Sequence, residues 1–227
     1  GTNFAQLLKR LAIETGIERI RYTTSHPKDF SDELIDIMAE YRGKIMDYIH
    51  LPVQCGNSEV LARMNRGYTR EEYISKANQI FSKIPGVVLS TDLIVGFPGE
   101  TEDQFLETLS LMREVPYENI FAFAYSPRPM TKAARFNDQV SEEVKSERLA
   151  RVLDLHREIA FSLAKKYVGQ KLKVLVERYD EKTGRLQGRS TQNKSVYFNG
   201  SESMIGTTVE ILIQEAFPLT LRGEIVT

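Results

Sequence analysis

Strand-like and helix-like segments take turns along the first two thirds of this 227-residue chain, and that alternation limits its fold more than any other feature. Asn3 to Thr15 places Phe4, Leu7, Leu8, Leu11 and Ala12 at helical spacing, with Gly16 as a natural stop. Glu18 to Thr24 reads as a β-rich strand, followed by Ser25-His26-Pro27 and a helix from Ser31 to Tyr41. Ile45 to Leu51 is the next expected strand, closed by Pro52, with helical stretches at Asn57 to Arg66 and Thr69 to Lys83 behind it. Val87 to Val95 reads as a more buried strand. Thr101 and Gln104 then form a capping box for a helix reaching Glu114, and Asn119 to Tyr125 is a fourth strand. Strands separated by such helices predict parallel pairing with right-handed crossovers, in a doubly wound sheet or a barrel. Four units are too few to close an eight-stranded barrel.

After Ser141 the pattern changes twice. Ser141 opens a long helix with Glu142 and Glu143 in its first turn, Lys165 and Lys166 in its last and Gly169 beyond, as the helix dipole prefers. Val144, Val152, Leu155, Ile159 and Leu163 mark its buried stripe. The period then drops to two: Lys171 to Tyr179, Leu186 to Thr191, Val196 to Phe198, Thr207 to Gln214 and Leu221 to Val226 read as five short strands. They predict a small antiparallel β-barrel of OB-like size. The expected division is therefore an α/β part over 1–168, closed by the helix 141–168, and a β-barrel over 169–227.

Hydrophobic residues make up 41% and charged residues 27% of the chain, and its apolar runs are too short to cross a bilayer, which points to a soluble globular protein with no membrane partner. The net charge of -1 announces no nucleic-acid binder, so any such site must be a local patch. Cys55 is the single cysteine, which excludes an internal disulfide and a self-contained zinc or iron–sulfur site. No targeting run opens the chain, which points to the cytoplasm. Gly1 stands where an initiator methionine would, and the chain reads as a piece of something longer.

The loops after the strands hold the unusual residues, and in parallel α/β folds those loops gather at the ligand-binding edge of the sheet. Gly96-Phe97-Pro98-Gly99-Glu100 either offers backbone N–H groups to a ligand or is a tight structural turn. Asp92, inside an apolar strand, must face a lumen or be hydrogen-bonded. His26, His50 and Cys55 are better read as two hydrogen-bonded histidines and a small buried thiol than as metal ligands. Arg63, Arg66 and Arg70 could meet a carboxylate or phosphate, although solvation is the commoner fate. Prolines hold Arg128 out in Ser126-Pro127-Arg128-Pro129. Gly188 to Lys194, followed by Tyr197 and Phe198, combines cations, amides and aromatics of the kind that bind single-stranded RNA.

Thr23-Thr24-Ser25-His26-Pro27, His50 to Asn57, Ile94 to Thr101 and Tyr125 to Pro129 occur in the order and at the intervals of the radical S-adenosylmethionine methylthiotransferases, which the chain resembles along its whole length. Its terminal barrel resembles a TRAM domain, an RNA-binding module. The Ser-Pro-Arg-Pro loop and the Gly188 to Lys194 hairpin resemble the tRNA-modifying branch. The resemblance implies transfer of a methylthio group to C2 of an isopentenylated adenosine in the tRNA anticodon stem-loop. It further implies S-adenosylmethionine, two [4Fe-4S] clusters and a reductant as cofactors and partners. One cluster, on a C-x-x-x-C-x-x-C loop, would cleave S-adenosylmethionine to a 5'-deoxyadenosyl radical, and the other, on an N-terminal domain, would support the inserted sulfur.

Neither that loop nor that domain is in this sequence, and Cys55 cannot substitute. The four expected strands would be the last four of a six-stranded partial barrel, and the chain a C-terminal portion inert by itself. Cys55 and Met130 stand where the family usually shows Ser and Gly. By position in the resemblance, Gln54, Asp92, Gly96 and Glu100 are the expected cofactor contacts, and Arg128, Arg189, Asn193 and Lys194 the expected RNA contacts. The alternatives are a methylthiotransferase for an aspartate of ribosomal protein S12 and a non-catalytic RNA-binding module.

Overall fold

The computed structural model describes residues 2–23 and 26–226. Its first part runs α1 (Phe4–Glu14), α2 (Asp32–Glu40), β1 (Tyr48–His50), α3 (Ser58–Arg63), α4 (Arg70–Lys83), β2 (Val88–Val95), α5 (Glu102–Glu114) and β3 (Tyr117–Ala124). The strands form one parallel sheet in the order β1-β2-β3. Local chemistry sets the boundaries. Thr69 with Glu72 and Thr101 with Gln104 form reciprocal capping boxes at the starts of α4 and α5, each satisfying two backbone N–H groups that would otherwise lack partners.

The strand expected over Glu18 to Thr24 shrinks to a single parallel bridge between Ile20 and Ile45. Ile20 N–H donates to the Lys44 carbonyl at 2.7 Å and its carbonyl accepts from Met46 N–H at 3.0 Å. The chain before β1 turns on the Tyr41 carbonyl, which accepts from both Lys44 and Ile45, so no longer run of extended partner backbone faces Ile20. Thr24 and Ser25 lie outside the described residues.

Period-two alternation divides the sheet's residues between two environments. Ile49, Leu89, Leu93, Val95 and Ile120 pack with Leu34, Ala77, Ile80, Phe105 and Leu111 of the helices. Parallel sheets are normally covered on both faces. Here the other face carries His50, Asp92, Ile94, Phe121 and Phe123, with Phe121 46% and Phe123 55% exposed. That open face locates the site.

Helix α6 (Glu142–Ala164) crosses β3 and leads through one 3-10 turn, Lys165–Tyr167, into the second part. Ala164 and Tyr167 already belong to the core of that part. Five strands follow: β4 (Lys171–Asp180), β5 (Arg185–Ser190), β6 (Ser195–Phe198), β7 (Thr208–Ala216) and β8 (Thr220–Ile225). They close a barrel in the order β4-β5-β6-β8-β7. The expected all-antiparallel barrel is corrected, because β6 and β8 pair in parallel. The topology forces it: β6 runs with β4 after two antiparallel steps through β5, and β8 runs with β4 after two through β7. At the β4 to β5 contact, a side chain on Gly188 would place its Cβ 2.4 Å from the Leu175 carbonyl oxygen, so only glycine fits.

The barrel docks through polar contacts. Tyr167 Oη donates to Glu118 Oε1 at 2.8 Å, Lys194 Nζ lies 2.7 Å from Glu118 Oε2, and Arg19 Nη1 donates to the Arg189 carbonyl at 3.0 Å. The loop 191–194 thereby packs at the N-terminal ends of β1 and β2, where Tyr48, Val88, Asn119, Gln192 and Asn193 line a small cavity of about 140 Å³.

Candidate cofactor cavity

At the opposite, C-terminal ends of the strands lies an open cavity of about 950 Å³, near the upper end of the range for small-molecule sites. Gln54, Asp92, Ile94, Phe97, Phe123 and Tyr125 line it together with segments 62–66 and 126–136. Gln54 is hooked onto β2 on both sides: its N–H donates to the Asp92 carbonyl at 2.9 Å and its carbonyl accepts from Ile94 at 2.8 Å. That double attachment holds it at φ 76, a left-handed conformation costly for a non-glycine residue and typical of ligand sites. The loop is locked from behind by Gly56, where a Cβ would meet Thr108 Cα at 2.5 Å.

Asp92 faces the cavity with its side chain 32% exposed, and its Oδ1 stands 3.5 Å from His50 Nε2. The other ring nitrogen of His50, Nδ1, lies 2.9 Å from Ser90 Oγ, so the imidazole is held between a hydroxyl and the carboxylate. The edge of Phe121 packs against it at 5.8 Å between ring centres.

Glu100, expected as a cofactor contact, is not among the residues that line the cavity. Its side chain is fully buried, accepts the Gly96 N–H at 2.6 Å, and is bound by Arg148 Nη1 at 2.9 Å. Burial pushes its carboxyl upward, against the opposing pull of the Gly96 amide and the guanidinium. Gly96 sits at φ 70, and the place of a Cβ is taken by Lys145 Cγ, only 2.4 Å away. Two residues of α6, Lys145 and Arg148, thus pin the 96–100 loop from behind. Sequence reasoning passed over both; the signal was their spacing, three and four residues apart in line with buried Val152.

Arg128 lines the same cavity, with Arg66 and Lys132, at the end of the molecule opposite Arg189, Asn193 and Lys194. The expected RNA set is therefore split between two places. Of the flanking arginines, Arg63 pairs with Asp138 at 2.7 Å, and Arg70 pairs with Glu114 while donating to the carbonyls of Gly56 and Glu107. Arg66 Nε and Tyr125 Oη are buried in this wall without a hydrogen-bond partner among the described residues.

In the barrel, Arg189 pairs with Glu177 at 3.3 Å and donates to Asn193 Oδ1 at 3.2 Å, with Asn193 at φ 65. Lys194 departs from the expected RNA contact, since it is buried against Glu118 and over the Tyr167 ring. Phe198 is likewise core and not a stacking surface.

Cys55 is buried beside Thr108 and Glu100, and burial pushes its thiol up to about 11. Among the described residues, no three His, Cys, Asp or Glu side chains gather as a metal-binding set, and no helix is long and apolar enough to cross a membrane.

Residues 1–112 match the family model for the radical SAM superfamily, and residues 165–226 match the TRAM domain. A tRNA-2-methylthio-N(6)-dimethylallyladenosine synthase from Bdellovibrio bacteriovorus is 56% identical over 226 residues, covering 100% of this chain and 50% of the relative. Synthases of the same name from Geotalea uraniireducens and Aquifex aeolicus are 46% and 43% identical, each covering 98% of this chain and 50% of the relative. The chain thus spans about half the length of the curated relatives it matches. Among solved structures, coproporphyrinogen III oxidase from Escherichia coli, a radical SAM enzyme, shares the fold with TM-score 0.51 at 17% identity, over 83% of this chain and 45% of that one.

Proposed function

Because the chain belongs to the radical SAM methylthiotransferases that end in a TRAM domain, we propose that it forms the cofactor-cradling and RNA-holding part of a cytoplasmic tRNA methylthiotransferase. The reaction adds a methylthio group to C2 of N(6)-isopentenyladenosine in the anticodon stem-loop. What carries this reading is the likeness, over at least 98% of the chain, to relatives of that name.

S-adenosylmethionine, bound with a reduced [4Fe-4S] cluster, supplies the 5'-deoxyadenosyl radical for this chemistry. The cavity's donor set fits that cofactor. Gln54 and Asp92 offer an amide and a carboxylate for its ammonium and ribose hydroxyls, and Ile94 and Phe123 give flat apolar walls for its purine. Arg66, Arg128 and Lys132 would offer cations to its carboxylate, and Arg66 Nε and Tyr125 Oη are polar atoms without hydrogen-bond partners among the described residues. Arg148 and Lys145 hold the 96–100 loop in register for that contact without touching the ligand. His50 fixes the Asp92 carboxylate from the side. The clusters, two in this reading, do not fit this chain's own residues: its one thiol is buried and held protonated. An electron donor is a further partner of the whole protein.

The test is nucleoside mass spectrometry of tRNA from cells lacking the gene. Accumulation of isopentenyladenosine with loss of its 2-methylthio derivative is expected. An unchanged methylthio nucleoside, with the mark missing instead from a ribosomal-protein aspartate, would overturn the tRNA assignment.

A further inference from the structure

Arg19 and Arg21, on the bridge segment beside β1, and Arg189, on β5 of the barrel, bring three guanidiniums from two parts of the chain to one seam. Arg19 Nη1 donates to the Arg189 backbone carbonyl, its Nε points at Met46 Sδ, and its Nη2 is buried without a partner. Arg189 is tied to Glu177 and Asn193. Arg21 is exposed and has no hydrogen bond or ion pair among the described residues. Burial and mutual repulsion push Arg19 and Arg21 below the ordinary arginine range, Arg19 by Arg21 and Arg21 by Arg189, while among the described residues Glu177 is the carboxylate acting against them. Three cations facing one acid leave an excess of positive charge in a half-buried place, an arrangement that an incoming anion relieves.

The surroundings favour one kind of anion. Tyr48, beside Arg21, and Asn193, bonded to Arg189, also line the small cavity under β1 and β2, together with Asn119 and Gln192. Gln192 Oε1 is buried without a partner. Guanidiniums that fork onto phosphate, next to amides that read nucleotide edges, form an RNA surface more readily than an acidic-peptide surface.

We propose that Arg21 and Arg189, braced by Arg19, bind the sugar–phosphate backbone of RNA at the seam between the α/β part and the barrel, so that the site exists only when the two parts are docked. The proposal rests on the tRNA reading above and adds to it a contact in the α/β part. Lys194, buried under the same seam, braces the docked geometry through Glu118 and takes no phosphate itself.

The experiment is equilibrium binding of isopentenylated tRNA to the full-length enzyme as salt is raised. Arg21→Gln should weaken binding about three- to tenfold and reduce the log–log salt slope by about one, the mark of one lost phosphate contact. Arg21 makes no side-chain hydrogen bond or ion pair among the described residues and loses only the through-space attraction of Glu177, so the variant should fold and retain S-adenosylmethionine binding. Glu177→Gln should act oppositely and tighten binding, by removing the carboxylate that competes for the arginines. An affinity and slope equal to wild type in both variants would overturn the proposal while leaving the tRNA reading intact. Loss of binding to an acidic protein substrate, with tRNA binding unaltered, would overturn it as well. A wild-type enzyme that fails to bind this tRNA would sink the tRNA reading itself.

Discussion

Asp92 and Glu100 stand close together in sequence, yet their carboxylates meet opposite environments. Asp92 opens into the cavity beside His50, while Glu100 is sealed behind the loop it stabilises. Two outcomes follow at this scale. Asp92→Ala in the full-length enzyme should abolish most reductive cleavage of S-adenosylmethionine while leaving thermal stability near wild type, as read by 5'-deoxyadenosine release. Arg148→Met should cost about 3–5 kcal/mol of unfolding free energy in denaturant titration, because it leaves a buried carboxylate without its counter-ion. A cost below about 1 kcal/mol would show that Glu100 relaxes to solvent or takes a proton. Cys55 should stay unalkylated by iodoacetamide at pH 8 in the folded enzyme and react only on unfolding, since its thiol is buried and titrates near 11. Asp92 was legible in the sequence because a charge inside an apolar strand has few places to go. Glu100 was not, because a loop glutamate reads the same whether it points at a ligand or at a later helix.

Among the elements, α6 ties the chain together. Its first turns pin the 96–100 loop through Lys145 and Arg148, and its end enters the barrel core at Ala164. Between them His156 is buried, and burial lowers it to about 4 from an ordinary 6.5, so it is neutral in the fold. The unfolded chain binds that proton first as pH falls. The contribution is therefore complete above about pH 6.5 and is lost as pH falls toward and through 4. His156→Leu should flatten the decline of the melting temperature between pH 6.5 and 4 relative to wild type; an unchanged decline would place the acid sensitivity elsewhere. Helices were legible because period and caps agreed, as at Thr69 and Thr101. The strand at Glu18 to Thr24 was misjudged because pairing depends on what the partner backbone does at Tyr41 to Ile45. The parallel β6 and β8 pair depends on chain crossing, which no local pattern encodes.

For the whole molecule, the cavity and the arginine seam lie at opposite ends of the β1 to β3 sheet, with exposed Phe121 and Phe123 on the face between them. In the proposed reading the C-terminal loops hold the cofactor and the seam holds RNA, with Arg128 at one end of the sheet and Arg189, Asn193 and Lys194 at the other. The burial of Lys194 was not legible, because it is decided by how the barrel docks, and docking rests on Glu118, Tyr167 and Arg19, none of which stands out in sequence. The most direct measurement is the 2-methylthio-N(6)-isopentenyladenosine content of tRNA from cells whose only copy of the full-length gene carries Asp92→Ala, beside cells with the wild-type copy. Isopentenyladenosine without its methylthio group is the result expected from a cavity that cradles the cofactor. A wild-type level of the methylthio nucleoside, with the variant protein present and folded, would contradict the account.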